Sequence, residues 1–160
     1  MDAIPALDDW KRSLADTIAA TVREFAPVLR GIPVVLLALD CQPWHGSLEL
    51  SLLTAAEAEA DNRLADPSEM AAWQYYELSA GLPSWQPAAL LGRSMQAAYE
   101  SAPDRRATAE GFFRACAEAL ASPDVAGVVG SLARADEFRM TVAHPDDGRE
   151  FFPPMDAAEA

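Results

Sequence analysis

Apolar positions at the start of the chain predict a long amphipathic helix. Over residues 8–29 they recur at three- and four-residue spacing, which places them on one helical face. Asp8 or Asp9 is expected to cap this helix, and Gly31 and Pro33 end it. The face that should pack on the protein core carries Trp10, Leu14, Ile18, Val22 and Phe25.

The next two segments predict an antiparallel hairpin. Residues 34–39 form a short apolar run with a β-branched start, which is typical of a strand buried on both faces. Residues 41–46 contain Pro and Gly, as expected for a turn. Residues 47–52 alternate strictly, which indicates a half-exposed strand whose inward side chains are Leu48, Leu50 and Leu52.

Capping and stop signals after the hairpin predict several helices. Residues 54–57 read Thr-Ala-Ala-Glu, a capping box that opens a short helix over residues 55–62. Asp66 followed by Pro is a second start signal, and Gly81 should stop that helix near residue 80. Further helices are expected over residues 87–101, from Asp104 and from Ser122. Their apolar positions are Leu90, Leu91, Met95 and Tyr99 in the first, Phe112, Phe113, Cys116 and Leu120 in the second, and Val125, Val128, Val129 and Leu132 in the third.

A late alternating segment completes the pattern and defines the fold class. Residues 137–142 predict a strand with Phe138, Met140 and Val142 on one face. Strands and helices do not alternate regularly, so we expect an α+β fold with a small, mostly antiparallel sheet (the hairpin plus the late strand) covered by several helices. We expect one domain over residues 1–154 and a frayed tail over residues 155–160.

Charge narrows the classes of function. The 160 residues include 25 acidic and 12 basic side chains, for a net charge of −13. Without a basic patch, this charge argues against binding to nucleic acid or to an anionic membrane surface. The longest apolar run, residues 32–39, is far shorter than the roughly 20 residues of a membrane helix. The acidic start does not resemble a signal peptide, so we expect a cytoplasmic protein.

The negative charge is concentrated in two blocks. Residues 40–92 carry eight acidic side chains against one Arg, and residues 136–160 carry seven against two. Together these acidic blocks hold −12 of the net −13. If the last strand joins the hairpin sheet, both blocks come to one side of the molecule. The simplest explanation for such a surface is solubility. The functional interpretation is an acidic face that attracts a basic partner protein.

Aromatic residues in or beside the first acidic block favour partner binding. An aromatic side chain left exposed within an acidic rim would make a binding hot spot. The aromatic residues concerned are Trp44, Trp73, Tyr75, Tyr76 and Trp85. The partner-binding residues that we predict are Trp44, Glu49, Glu57, Glu59, Asp61, Glu69, Asp146 and Asp147.

A catalytic alternative centres on the turn between the two hairpin strands. Asp40, Cys41 and His45 cluster there, and a Cys with a nearby His is a possible nucleophile pair. No third orienting residue is implied, so we assign no catalytic residue. His144 precedes two Asp residues, but no His-x-x-x-His, Cys-x-x-Cys or calcium-loop spacing occurs, and we expect no metal and no cofactor. We interpret Cys41 and Cys116 as reduced, buried thiols.

The order of elements resembles a bacterial family. A leading amphipathic helix precedes an apolar strand and hairpin, the Thr54–Glu57 box, a helix start at residues 66–73 and a late strand with Phe138. In this order the chain resembles the bacterial "domain of unknown function 4303" proteins and, more loosely, the immunity proteins of bacterial toxin systems. The resemblance covers most of the chain and implies a cytoplasmic α+β domain that binds another protein. A structural or oligomer-forming domain is the third alternative, which a solution mass would test.

Overall fold

The computed structural model describes residues 7–154, and in this range a three-stranded sheet carries helices on both faces. The tail predicted over residues 155–160 lies outside the described residues. No helix of residues 7–154 combines the length and apolar character needed to cross a membrane. The helices are α1 (Leu7–Phe25), α2 (Ala55–Ala60), α3 (Pro87–Ser101), α4 (Arg105–Leu120) and α5 (Pro123–Val129); the strands are β1 (Val34–Gln42), β2 (Ser47–Thr54) and β3 (Arg134–Thr141).

The sheet has the order β2-β1-β3, with the buried strand β1 in the centre. β1 and β2 form the predicted antiparallel hairpin, in a register that pairs Leu39 with Leu50. β3 lies on the other edge and runs parallel to β1, with Met140 beside Leu37. The predicted α+β class, with a small and mostly antiparallel sheet covered by helices, is confirmed, and the late strand makes the sheet mixed.

One face of the sheet, which we call the main face, packs against four helices. β1 contributes Leu37, Leu39 and Cys41 to this face, all almost completely buried. The helices α1, α3, α4 and α5 cover them with apolar side chains, and Phe113 and Leu120 of α4 are completely buried as its apolar stripe predicts. The predicted helix over residues 8–29 is present as α1 followed by a 3-10 turn over Ala26–Leu29.

The opposite face, which we call the second face, has a thinner cover. Leu36 and Ala38 of β1 and Leu53 of β2 are buried beneath Trp73. The cover consists of α2 and 3-10 turns over Asn62–Ala65 and Pro67–Ala72. The prediction of a half-exposed β2 was therefore wrong. The leucines that alternate on β2 do lie inward, but of the residues between them Ser51 is buried and Glu49 is half-buried, and both bond to the chain that follows Trp73.

The helix predicted from Asp66 to residue 80 is the main error in the expected element list. Asp66 does cap the chain, by accepting a hydrogen bond from the Ser68 amide, but only a 3-10 turn follows and it ends before Trp73. Beyond that point the chain forms isolated turns and also bonds to the sheet, where the Leu52 amide donates to the Tyr75 carbonyl (3.1 Å). Glu77 has a positive φ of 50°, which interrupts any helix.

A close backbone contact holds the hairpin turn against α3. Gly46 has a φ of 69°. Its carbonyl oxygen lies only 2.1 Å from the position that a Cβ on Gly92 would occupy. The bare backbone of both glycines permits this approach. α3 was predicted over the correct residues, but Leu90 on its expected apolar side is 61% exposed, because the helix turns Ala88, Gly92 and Met95 inward.

Candidate functional site

The second face becomes polar towards the hairpin turn. In the hairpin register Asp40 lies directly opposite Glu49, so two carboxyl groups lie side by side on this face. Further along β1 the same face is apolar, with Leu36 and Ala38. The segment after Trp73 closes over the strands at this point. Ser51 Oγ accepts the amide of Glu77 at 2.8 Å.

Ser79 fixes the other end of this closing segment. Its hydroxyl accepts the amide of Leu50 at 2.8 Å and donates to the Glu49 carboxylate at 2.5 Å. Ser79 is completely buried, so both bonds are sheltered from water. One carboxylate oxygen of Glu49 therefore helps to hold the segment against β2.

Burial and mutual repulsion make the carboxyl groups here harder to ionise. Burial raises the pKa of Asp40 and the charge of Glu77 adds to this, while a hydrogen bond from Gln42 opposes it. Burial also raises the pKa of Glu49, with further contributions from the charges of Glu77 and Asp40, against the hydrogen bond from Ser79. A bound cation would relieve this repulsion and favour the ionised forms.

Tyr76 adds an aromatic ring to the same surface. Its side chain is 39% exposed, the highest exposure of any large aromatic among residues 7–154. Partial burial and a hydrogen bond with Glu77 raise the pKa of its hydroxyl. An exposed tyrosine beside carboxyl groups combines apolar contact area with a polar tip, as interface hot spots do.

Asp40 and Tyr76 line a cavity of about 690 Å³, which we call the acidic cavity. Its walls come from the end of β1, the 3-10 turn at residues 67–72 and the loop at residues 143–150. Among the described residues its lining includes one guanidinium, Arg139, against five carboxyl groups, so both acidic blocks of the sequence meet here. The five are Asp40, Asp66, Asp146, Asp147 and Glu150.

Hydrogen bonds to the backbone hold the C-terminal wall of this cavity. The carboxylate of Glu150 accepts the amides of Val142 (2.8 Å) and Phe152 (3.0 Å) and contacts the hydroxyl of Thr141. It therefore secures the chain after β3 as it turns back over the sheet. Phe152 packs partly buried against the main core.

The loop over residues 144–148 separates the acidic cavity from a second cavity. His144 Nδ1 accepts the amide of Asp146 at 3.1 Å, and Asp147 accepts the amide of Arg149 at 2.9 Å. The second bond lowers the pKa of the Asp147 carboxyl, with the charge of Arg149 acting in the same direction. The two carboxylates are thus exposed at the tip of an internally bonded turn.

The predicted partner-binding residues fall into two groups. Asp146 and Asp147 line the acidic cavity, Trp44 lines the neighbouring cavity, and Glu49 lies beneath the segment that closes over β2. The other predicted residues, Glu57, Glu59, Asp61 and Glu69, are absent from the lining of both cavities.

Local structure explains the position of this second group. Glu57 completes the capping box with Thr54 and accepts the amide of Gln74, so its carboxylate holds α2 in place. Asp61 forms a forked hydrogen bond with Arg63. Glu59 and Glu69 are exposed on the outer surface of the cover.

The hairpin turn does not assemble a Cys–His pair. Cys41 is completely buried on the main face, where its thiol contacts the Met95 sulfur at 3.6 Å, whereas His45 is exposed. Burial, together with the neighbouring Cys116, raises the pKa of the Cys41 thiol well above its usual value. The thiol therefore lacks both access and thiolate character. No cluster of three or more His, Cys, Asp or Glu suited to a metal ion occurs among residues 7–154.

We did not predict Asp40, Asp66, Tyr76 or Glu150 as partner-binding residues. A signal for Asp40 was available, because a turn over residues 43–46 places it opposite Glu49 and like charges in cross-strand pairs are unfavourable. For Glu150 and Asp66 no such signal exists, since only the fold brings them together.

Comparison with protein-family models, with curated proteins and with solved structures found no match for this chain.

Proposed function

We propose that this protein is a small binding domain that docks a basic partner protein over its acidic cavity. One observation carries the proposal: two acidic blocks far apart in sequence contribute five carboxyl groups to one cavity, against a single guanidinium. A solubility function requires only dispersed charge, whereas convergence of charge on a concave surface focuses the field on an incoming cation.

The groups around the cavity also suit a protein partner. Tyr76 and Met70 supply apolar contact area within the acidic rim. Burial is the main cause of the raised pKa of Asp40, and repulsion from the charge of Glu77 adds to it. A guanidinium or ammonium group of a partner would relieve that repulsion. Electrostatic complementarity of this kind raises the association rate and selects the partner.

Neutralisation of a toxin is the particular form of this function that we propose. The resemblance to bacterial immunity proteins supports it, as does the acidic surface, because an inhibitor of a basic enzyme needs complementary charge. A cytoplasmic location belongs to the same proposal.

Charge-neutral variants test the docking surface. In affinity capture from the native host, wild-type protein and the Asp16→Asn control should retain the same basic protein. Asp16 is exposed on α1, outside both cavities. With that protein purified, we expect the Asp40→Asn/Asp146→Asn variant to bind at least about ten-fold more weakly. Binding of the wild type should weaken as salt is added.

The same experiment can overturn the proposal. Equal binding of the double variant and of the control would remove the acidic cavity from the interface, and binding that is insensitive to salt would exclude electrostatic docking. The toxin hypothesis has its own test: co-expression with the product of an adjacent gene should restore growth that this product alone arrests. Continued arrest with wild-type protein would reject that form of the proposal.

A further inference from the structure

A second cavity, of about 530 Å³, lies across the 144–148 loop from the acidic cavity. We call it the aromatic cavity. It is formed by the hairpin turn, the end of α3 and the first half of α4. His144, Asp146 and Asp147 line both cavities, so one partner surface can reach into the two of them at once.

Packed rings form the floor of the aromatic cavity. The half-buried ring of Trp44 lies 6.2 Å from that of Tyr99, at an interplanar angle of 63°, and 5.6 Å from that of His144. Beneath them Phe113 is completely buried and lies 5.0 Å from His144. Because these rings support one another, the floor is already in place before a ligand arrives, and little entropy is lost on binding.

Guanidinium groups surround this floor, and most of them already have partners. Arg149 lies over the ring of Phe151 at 4.8 Å and bonds to Glu110 at 2.6 Å. Arg105 lies over Tyr99 at 5.8 Å, outside the cavity lining. Arg106 lines the cavity and is exposed, and within residues 7–154 it has neither a ring beneath it nor a carboxylate at salt-bridge distance.

The charges in the aromatic cavity nearly balance, unlike those of its neighbour. Three carboxylates, from Glu110, Asp146 and Asp147, face the two guanidinium groups of Arg106 and Arg149. Such a lining selects strongly for neither a cation nor an anion. A planar aromatic ring suits it, because the ring can pack on the aromatic floor and offer its π face to Arg106.

We propose that the aromatic cavity accepts an aromatic side chain of the partner, packed on Trp44 and Tyr99 and covered by Arg106. This inference rests on the proposed function in that the same partner places a basic side chain in the acidic cavity. The recognition element then carries a basic and an aromatic residue that straddle the 144–148 loop.

Two small probes test the two cavities separately. In ¹H–¹⁵N NMR titrations, N-acetyl-L-tryptophanamide should give saturable shifts at the Trp44 indole N–H and at the amides of Arg106 and Glu110. N-acetyl-L-argininamide should instead shift the amides of Asp40 and Tyr76. If only the arginine probe binds, the aromatic inference fails and the proposed function stands. If only the tryptophan probe binds, the proposed docking of a basic side chain fails, and the recognition element that combines a basic and an aromatic residue fails with it.

Matched arginine variants test the role of Arg106. Arg106→Ala should weaken binding of the tryptophan probe by about two- to five-fold, which is the usual contribution of an exposed cation–π contact. Arg93→Ala, which removes an exposed arginine outside the cavity lining, should leave the affinity unchanged. Because Arg106 is exposed, its variant should keep the wild-type spectrum elsewhere. Equal effects of the two substitutions, or shifts that do not saturate, would overturn the inference.

Discussion

The two faces of β1 differ although one strand supplies both. On the main face Leu37, Leu39 and Cys41 are apolar along the whole strand and lie beneath four helices. On the second face Leu36 and Ala38 give way to Asp40, and the cover consists of one short helix and two 3-10 turns. The main face supplies most of the buried apolar area, which leaves the second face free to hold charge that costs stability.

The cost on the second face is visible in its pairing. Asp40 opposite Glu49, with the charge of Glu77 nearby, is an arrangement that a sheet optimised for stability avoids. Places where a sequence breaks a local rule are expected to be functional. We therefore expect the acidic cavity to be retained for function and not for stability.

Large-to-small substitutions should separate the two faces most strongly. Phe113→Ala removes a completely buried ring of the main core and should lower the free energy of unfolding by about 3–5 kcal/mol, measured by urea denaturation. Trp73→Ala should open the second face locally, because the indole also donates to the Leu64 carbonyl at 2.8 Å. Hydrogen exchange should then quicken over residues 62–73 while α4 stays protected. Equal loss of protection in α4 would show that the two faces unfold as one unit.

The hairpin contact with α3 should respond to a single methyl group. A Cβ at Gly92 meets the Gly46 carbonyl, so Gly92→Ala should cost about 1–3 kcal/mol as the turn is pushed away. The control is Gly111→Ala in α4, where nothing lies within 4 Å of the added Cβ; this change should stabilise by about 0.4–1 kcal/mol. Thermal denaturation of the two variants measures both changes in stability. A neutral Gly92→Ala would mean that the turn moves freely.

The cover of the second face should depend on its cap. Thr54→Ala removes the side chain that accepts the Glu57 amide and should cost about 1 kcal/mol in urea denaturation. Thr17→Ala is the control, because that hydroxyl donates only to a carbonyl one turn back within α1. Equal losses would show that the capping box adds nothing to the second face.

The smallest expected effect is a pH dependence of opposite sign at two carboxyl groups. Asp40 has a raised pKa in the fold, so its ionisation costs stability, and this cost develops as the pH rises from the unfolded-state pKa to the folded-state pKa. Wild type should therefore lose stability relative to Asp40→Asn across that window.

The lowered pKa of Asp147 reverses the sign. The stabilisation by this group is present above its unfolded-state pKa and is lost as the pH falls through the folded-state pKa, so wild type should gain relative to Asp147→Asn as the pH rises. Unfolding midpoints from acidic to neutral pH measure both differences. Slopes of the same sign would contradict the contrast between the buried and the exposed carboxyl group.

Local signals predicted the regular elements well. The three- and four-residue spacing in α1 and α4, the alternation in β2 and the Thr54 capping box all act within a few residues, so they can be read directly from the chain. The predicted helix after Asp66 failed because its start signal is real but the sheet edge competes for the backbone. The bond from Leu52 to Tyr75 decides that competition.

The candidate site was predictable only in part. Asp146, Asp147 and Trp44 were identified because charge and aromatic content stand out in the sequence, and the structure places all three at the two cavities. The same criterion selected Glu57 and Asp61, which instead hold a cap and a local ion pair. Composition does not distinguish a carboxylate that lines a cavity from one that lies elsewhere on the surface.

The α+β class, the hairpin and the two acidic blocks can be read from the amino-acid sequence, because periodicity, capping and charge are local or additive properties. The parallel pairing of β3 with β1 and the position of residues 143–150 beside Asp40 and Asp66 follow only from the folded structure. The same is true of which aromatic rings are buried and which line a cavity. These outcomes depend on contacts between residues about a hundred positions apart, which only the packing of the sheet and its helices brings together.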